Sequence, residues 1–401
     1  VTTKTEDVIG RAKKHLLQNY RQQPIVLDRG QGVRVWDLEG RCYLDLLGGI
    51  ATCALGHCHP AVTAAAKAQL DRLWHVSNVF YSQPQIDLAE KLTAAAGLPR
   101  AFFCNSGGEA NEAMFKLARR VMKDRGHPER FEVLSFESSF HGRTLATVAA
   151  TGQPKYQKGF EPLPDGFRHV PFGDLPAVRA AISARTAAII VEPIQGEGGV
   201  RSAPPGFLKG LRALCDERGL LLLVDEVQTG MGRTGRAFAF QHEGIVPDAI
   251  SVAKALGNGL PIAAMLCGED VSASLPTGSH GSTFGGNPVA AAAANVAVGL
   301  LCSDEMLSSV RAKGEHFLGK ARELMARRPA QVAAVRGQGL LLGIELVHDS
   351  ASQVARCRDA GLLVNMAGEK TVRFAPPLVV TLGELDEGLS LFEQALEATG
   401  K

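Results

Sequence analysis

Two apolar runs, Leu220 to Val224 and Ala249 to Ala253, each stop at a charged residue followed by glycine-rich loop chemistry: Asp225 after the first, Lys254 after the second. In an open parallel sheet, neighbouring strands deliver their C-terminal ends to one edge, where ligands bind. A carboxylate and a primary amine on two such ends can therefore meet across one ligand. A buried lysine amine suits Schiff-base formation with a carbonyl compound, and an aspartate can hold a protonated ring nitrogen. Pyridoxal phosphate demands that pair of a protein. A lone lysine after an apolar run is more often a strand end reaching water, so the weight lies on its surroundings.

Further stretches carry matching chemistry. Cys104 to Glu112, reading CNSGGEANE, follows a short apolar run and precedes a helical pattern from Ala113 to Val121. Backbone amides at such a turn, with the helix dipole behind them, make an anion cradle of Ser106, Gly107 and Gly108. Ser138 to Thr144 follows another apolar run and presents Phe140 and Arg143, an aromatic face and a planar cation that binds carboxylates with two parallel hydrogen bonds. Glu192 to Gly199 ends a further run with two carboxylates, and Asn287-Pro288 is a good helix cap and first position. His57-Cys58-His59 has metal-ligating residue types, but adjacent residues rarely converge on one ion without further ligands.

The elements that must position these residues read as follows. Val8 to Tyr20 has helical spacing, Ile25 to Leu46 alternates as a hairpin around Asp37 to Gly40, and His59-Pro60 opens a helix to about Leu73. Strands are expected at Ala101 to Cys104, Glu132 to Phe136, Ala187 to Val191, Leu220 to Val224, Ala249 to Ala253 and Ala263 to Cys267, alternating with helices. This is an α/β pattern with a mostly parallel central sheet between helices. Pro288 to Leu301 reads as a helix, followed by a charged helix to about Arg328, strands at Gly339 to Leu346 and Thr371 to Phe374, and a terminal helix. The expected organisation is an N-terminal segment (1–55) joining a small domain, a large domain (56–287) and a C-terminal small α+β domain (288–401).

At 401 residues, 45% hydrophobic, 21% charged and net charge +2, the chain is an ordinary globular protein with no basic field for nucleic acid. Its eight cysteines form no CxxC pair and suit reduced packing residues. No stretch approaches the roughly 18 uninterrupted apolar residues of a membrane span, and the first ten residues hold no apolar signal core. A cytoplasmic protein with small-molecule partners, and no resident metal, is expected.

DEVQTG at 225–230, GRTG at 232–235, AKALGNG at 253–259 and FHGRT at 140–144 together resemble the class-III pyridoxal-phosphate aminotransferases, which take amino groups from the side-chain end of their donors. The resemblance runs from Asn19-Tyr20 to Arg373. It is closest to the acetylornithine aminotransferases of arginine biosynthesis, in LGGIA at 47–51 and HVSNVFY at 75–81. It implies a fold-type-I transferase using pyridoxal 5′-phosphate: Lys254 as the Schiff-base lysine and proton carrier, Asp225 on the ring nitrogen, Gln228 on the ring oxygen, Phe140 against the ring, and Ser106, Gly107 and Gly108 at the phosphate. Many relatives carry Thr or Ala where this chain has Gly108. The resemblance also implies that Arg143 takes the substrate carboxylate, that Glu197 masks Arg373 until a dicarboxylate arrives, and that Tyr20, Ile50, Asn78 and Ser282 line the substrate pocket. Ornithine aminotransferases place a tyrosine where Ile50 stands, so an acylated donor is implied. Thr283 would reach the phosphate of a second subunit, which implies a homodimer with shared sites. The implied reaction joins N2-acetyl-L-ornithine and 2-oxoglutarate in ping-pong fashion. Succinylornithine, ornithine, 4-aminobutyrate and acyl-lysine are alternative donors, and a non-catalytic binding protein is the alternative from another class.

Overall fold

A computed structural model describes residues 3–397. Residues 1, 2 and 398–401, the outer ends of the two terminal segments expected from sequence, lie outside the described residues.

The centre is a seven-stranded sheet. Its spatial order is Arg100–Cys104, Ala263–Cys267, Ala249–Val252, Leu221–Asp225, Thr186–Val191, Glu132–Phe136 and Phe167–Val170. Only Ala263–Cys267 runs against its neighbours; the other six strands point the same way. Every residue of Leu221–Asp225 and Thr186–Val191 is buried, because helices cover both faces of a parallel sheet. Successive side chains enter opposite cores: Leu221 and Leu223 join Met114, Leu117 and Val121 of the Gly107–Asp124 helix, while Leu222 and Val224 join Leu211 and Leu214 of the Phe207–Arg218 helix.

All six expected strands of this sheet form, within one or two residues of their expected ends. The seventh, Phe167–Val170, carries no continuous apolar run; it is an edge strand whose half-exposed FRHV needs burial on one face only. Val332–Gln338 escapes the sequence pattern for a similar reason, with one buried residue at its start. The N-terminal helix spans Lys4–His15 rather than Val8 to Tyr20. A reciprocal cap between Thr3 and Glu6, 3.1 and 2.9 Å, starts it early. The chain leaves it as extended backbone at Leu16, so Tyr20 lies outside the helix.

The expected hairpin forms between Arg34–Asp37 and Cys42–Asp45, and gains Leu27–Gln31 on one side. On the other side Leu362–Leu363, from near the far end of the chain, adds in parallel. A second four-stranded sheet contains Val332–Gln338, Leu341–Leu346, Thr371–Phe374 and Asn365–Ala367. Arg34 ties the first sheet to the Leu382–Glu397 helix through a two-pronged bond to Glu387, 2.9 and 2.6 Å. His57 does not turn toward Cys58 and His59; its Nε2 lies 2.7 Å from Asp45 Oδ2, and that hydrogen bond raises its pKa to about 10. The other Asp45 oxygen accepts the amides of Leu47 and Gly48, each at 2.9 Å, fixing the turn that leads into the Gly48–Ala51 segment.

No single helix among the described residues is long and apolar enough to cross a membrane.

Candidate active site

The C-terminal edge of the central sheet carries a cavity of about 330 Å³ with Asp225 and Lys254 in its wall. Asp225 is the last residue of its strand and pairs in register with Ser251 on the neighbouring one. Four donors converge on its carboxylate: Asn111 Nδ2 and His141 Nδ1 reach Oδ2, each at 2.8 Å, while the Val227 amide and Ser251 hydroxyl reach Oδ1 at 3.0 and 3.3 Å. Asn111 also donates to the His141 carbonyl at 2.7 Å, so carboxylate, amide and imidazole are locked together. Asn111 Oδ1 and His141 Nε2 are buried without a partner.

Neither Asn111 nor His141 stood out in sequence, although both lie inside quoted motifs. Asn111 is four residues beyond Gly107 in the Gly107–Asp124 helix, one turn in and on the same face. Glu192 was also passed over. It lines the cavity, and its Oε2 accepts the Phe140 amide at 2.9 Å, which sets the position of that ring. Burial, then the nearby Asp225, push its carboxyl well above the ordinary range.

Lys254 stands two residues beyond Ala249–Val252, at the start of the short 3-10 turn Lys254–Gly257, with φ +49°. A non-glycine residue in that region is strained. Asn258, also left-handed, pins the turn: its Oδ1 accepts the Leu55 amide at 2.7 Å and its Nδ2 donates to the Gly56 carbonyl at 3.2 Å. Burial lowers the Lys254 pKa most; Glu197 pulls it up, Arg373 pushes it down, Asp225 and Glu192 pull it up, and the result is about 8. The neutral, nucleophilic amine therefore gains ground as pH rises through about 8. Capture of pyridoxal phosphate by the apo-protein, followed by stopped-flow absorbance, accelerates with rising pH and levels off above about 8. A rate still climbing toward the ordinary lysine value of about 10.4 would show an unperturbed amine.

Opposite Lys254, Ser106 caps the Gly107–Asp124 helix, its hydroxyl accepting the Glu109 amide at 3.3 Å. A Cβ on Gly107 would stand 2.8 Å from a Val227 methyl, whereas one on Gly108 meets nothing nearer than 3.8 Å. Glycine at 107 is a packing requirement. At 108 it leaves room beside the helix start, where anions bind.

At the cavity's margin Gln228 joins a buried cluster. Arg373 Nη1 donates to Glu197 Oε1 at 2.6 Å, to Gln228 Oε1 at 3.0 Å and to the Gly196 carbonyl at 3.0 Å, while Gln228 Nε2 donates to Glu197 Oε1 at 3.1 Å. Arg373 is fully buried and its Nη2 has no partner. Burial works to raise the Glu197 pKa, but Arg373 and Lys254 outweigh it and hold the carboxyl below its ordinary value.

Of the residues singled out in sequence, the structure brings Ser106, Gly107, Gly108, Phe140, Asp225, Gln228 and Lys254 into one cavity wall, with Glu197 and Arg373 bonded to Gln228. Arg143, Ser282, Thr283, Tyr20, Ile50 and Asn78 do not line it. The exposed Arg143 guanidinium stacks 4.1 Å over the ring of Tyr156, a residue not singled out before, and stands 5.5 Å from the Phe140 ring. Asn78 donates to the Ser282 and Gly285 carbonyls, each at 3.0 Å, and so holds the Ser282-Thr283 loop. Thr283 is exposed, Tyr20 is 78% exposed, and Ile50 sits in the left-handed region at φ +62° with its side chain outward.

The cavity fits pyridoxal phosphate: it offers an amine, a carboxylate, an aromatic face and a helix start whose second glycine leaves open space, together with an orphaned imidazole nitrogen behind the carboxylate. Comparison with known proteins agrees. The family model described as aminotransferase class-III matches residues 16–396. The chain is 71% identical over 383 residues to the acetylornithine aminotransferase of Myxococcus xanthus, covering 95% of this chain and 96% of that one. Among solved structures it is similar to the N-acetylornithine aminotransferase of Stenotrophomonas maltophilia, at 40% identity and TM-score 0.84, covering 98% and 99% of the two chains. It is also similar to an ornithine aminotransferase of Toxoplasma gondii with pyridoxal phosphate at partial occupancy in its active site, at 33% identity and TM-score 0.95, covering 99% and 95%.

Proposed function

We propose that this chain, which belongs to the aminotransferase class-III family, converts N2-acetyl-L-ornithine and 2-oxoglutarate to N-acetyl-L-glutamate 5-semialdehyde and L-glutamate, a step of arginine biosynthesis. The observation that carries this reading is the meeting of Lys254 and Asp225 with the Gly107-Gly108 helix start at one sheet edge, beside a part-buried Arg373–Glu197 pair.

Pyridoxal phosphate, when bound, supplies the electron sink for a carbanion at the reacting carbon of the substrate. Lys254 is the residue that would hold it, and its amine would move the proton between the substrate carbon and C4′. Asp225 keeps the proton on the ring nitrogen, and its own orientation is set by Asn111 and His141. Ser106, Gly107 and Gly108 would hold the phosphate, Phe140 would pack on the ring and Gln228 would meet the ring oxygen; all five line the cavity. Arg143, 5.5 Å from the Phe140 ring, would bind the carboxylate remote from the reacting carbon, while Tyr20, Ile50, Asn78 and Ser282, which lie outside the cavity of the single chain, would shape the pocket only in the dimer proposed below.

The two substrates differ at the reacting carbon. The donor carries only hydrogens beside its terminal nitrogen, whereas the acceptor carries a carboxylate beside its carbonyl. One pocket must present no free cation to the first and a cation to the second, and an arginine paired to a movable glutamate meets both needs. Glu197 masks Arg373 for the donor and releases it for the acceptor.

Mixing the purified enzyme in turn with N-acetylornithine, succinylornithine, ornithine and 4-aminobutyrate, and following the cofactor absorbance through a single turnover, tests the assignment. N-acetylornithine reacts fastest; a faster reaction with another donor would move the enzyme to another pathway with the same mechanism.

The functional unit is a cytoplasmic homodimer. Trp74, Phe80, Tyr81 and Phe284 are 66, 68, 95 and 59% exposed, an apolar group beside Thr283 that His75 bridges by its 5.2 Å ring contact with Phe284. Such patches mark protein interfaces, and a second subunit covering this one would receive the Thr283 hydroxyl at its phosphate. The double substitution Phe80→Asp and Phe284→Asp halves the mass seen by sedimentation and weakens cofactor retention. An unchanged mass would remove this interface. All eight cysteines are free, as a reducing compartment favours.

A further inference from the structure

Glu197 borders two spaces. On one side are Arg373 and Gln228; on the other is a polar cleft of about 310 Å³ lined by Glu197 together with Gln153, Lys155, Arg201, Arg336 and Lys370. Glu345 and Glu369 also line it, so four cations face three carboxylates, one of them Glu197 itself. Arg336 is spoken for: it pairs with Glu345, donates to Thr371 Oγ1 at 2.9 Å and to the Gly199 carbonyl at 2.7 Å. Lys155, Arg201 and Lys370 have no ion pair among the described residues.

The loop that carries Glu197 is fixed. It is the turn of a small hairpin in which Gln195 pairs directly with Arg201. A Cβ on Gly196 would stand 2.2 Å from Gln228 Oε1 and one on Gly198 2.5 Å from the Ser138 carbonyl. The Gly196 and Gly199 carbonyls are held by Arg373 and Arg336. Val200 closes the turn at φ +54°, a left-handed conformation that a β-branched residue adopts only when its surroundings impose it. With the backbone held on both sides, Glu197 leaves Arg373 by rotating its side chain, and the space open to that rotation is the cleft.

We propose that this cleft receives the Glu197 carboxylate while the acceptor's carboxylate occupies Arg373, and that Arg201, assisted by Lys155, is the positioning residue that holds it there. The inference rests on the masking role given to Glu197 above. It adds the other end of the movement: a carboxylate leaving one guanidinium needs a second cation, and the hairpin supplies it at the position paired with Gln195. Arg201 then sets affinity for the acceptor without touching either substrate.

Single-turnover measurements on the holoenzyme separate the two halves of the cycle. Arg201→Gln weakens apparent 2-oxoglutarate binding in the second half-reaction about tenfold, the order expected for one charge-assisted hydrogen bond, and leaves the N-acetylornithine half-reaction within about twofold. Arg201→Lys restores most of the loss. Arg201 is exposed, so both variants fold. In a Glu197→Gln background, which itself tightens acceptor binding by unmasking Arg373, the Arg201→Gln effect disappears. No change in the acceptor half, equal weakening of both halves, or a loss that persists beside Glu197→Gln would overturn the role of Arg201. If Glu197→Gln leaves acceptor binding unchanged, the masking reading itself falls, and the landing site falls with it.

Discussion

Replacing Lys254 with alanine lowers turnover by about 10⁴-fold or more if it has the proposed role, since proton transfer by a positioned side chain contributes about 10²–10⁴-fold and in that reading the residue also holds the cofactor. Steady-state assay of the purified variant measures it. Lys254→Arg is as inactive, because a guanidinium is not deprotonated at the pH of any assay. The loss is chemical rather than structural. Lys254 is half-buried, and its lowered pKa records that holding a charge there is unfavourable; removing the amine takes a partly desolvated ionisable group out of the cavity wall. Thermal unfolding of the apo-variant therefore begins no lower than that of the apo-enzyme. A variant that had merely lost its fold would show the opposite, and a variant retaining more than a hundredth of the activity would remove Lys254 from the mechanism.

Asp225→Asn costs about 10³-fold in turnover, comparable to removing one preorganised charge from the reacting centre. Here the environment makes the substitution harsher than its near-identical shape suggests. All four protein partners of the carboxylate donate: Asn111 and His141 to one oxygen, Val227 and Ser251 to the other. An asparagine amide has to turn its NH₂ toward one of these pairs, so hydrogen meets hydrogen whichever way it flips. In the proposed role the variant loses the negative charge that faces the ring nitrogen and also the order of the group that carries it. Asn111→Ala, by contrast, leaves the charge in place, and its smaller loss in turnover measures the positioning component alone.

Much of the central sheet was legible because its strands are buried on both faces and so read as unbroken apolar runs ending in a residue of different character; Leu221–Asp225 and Ala263–Cys267 are such strands. The half-exposed edge strand Phe167–Val170 offered neither a run nor a clean alternation, and only its pairing with Glu132–Phe136 makes it a strand. The cavity wall followed the same division. Residues that end strands or open a helix, Asp225, Lys254 and Gly107, announce themselves by their place in the pattern. His141 and Asn111 do not, since each acts across space on a residue far away in sequence; Glu192 ends its run visibly, but its bond to the Phe140 amide cannot be read from spacing. Tyr156, which carries the Arg143 guanidinium, ends a single 3-10 turn, Pro154–Tyr156, too short to show any periodicity. What spacing cannot convey is the third dimension of a network.

The sheet built from Leu27–Gln31, Arg34–Asp37, Cys42–Asp45 and Leu362–Leu363 joins the two ends of the chain, with the Leu44 amide bonded to the Gly361 carbonyl at 2.8 Å and the Leu46 amide to that of Leu363 at 3.0 Å. During synthesis the first three strands leave the ribosome long before the fourth. Until then the Cys42–Asp45 edge has bare amides, and Leu44 and Leu46, both buried in the finished molecule, lack their cover. The growing polypeptide must keep this hairpin out of trouble for most of its translation, so an early stop or a stalled ribosome leaves a product with a sticky edge rather than a smaller functional unit. Quality control in the cell would meet this protein first at that edge.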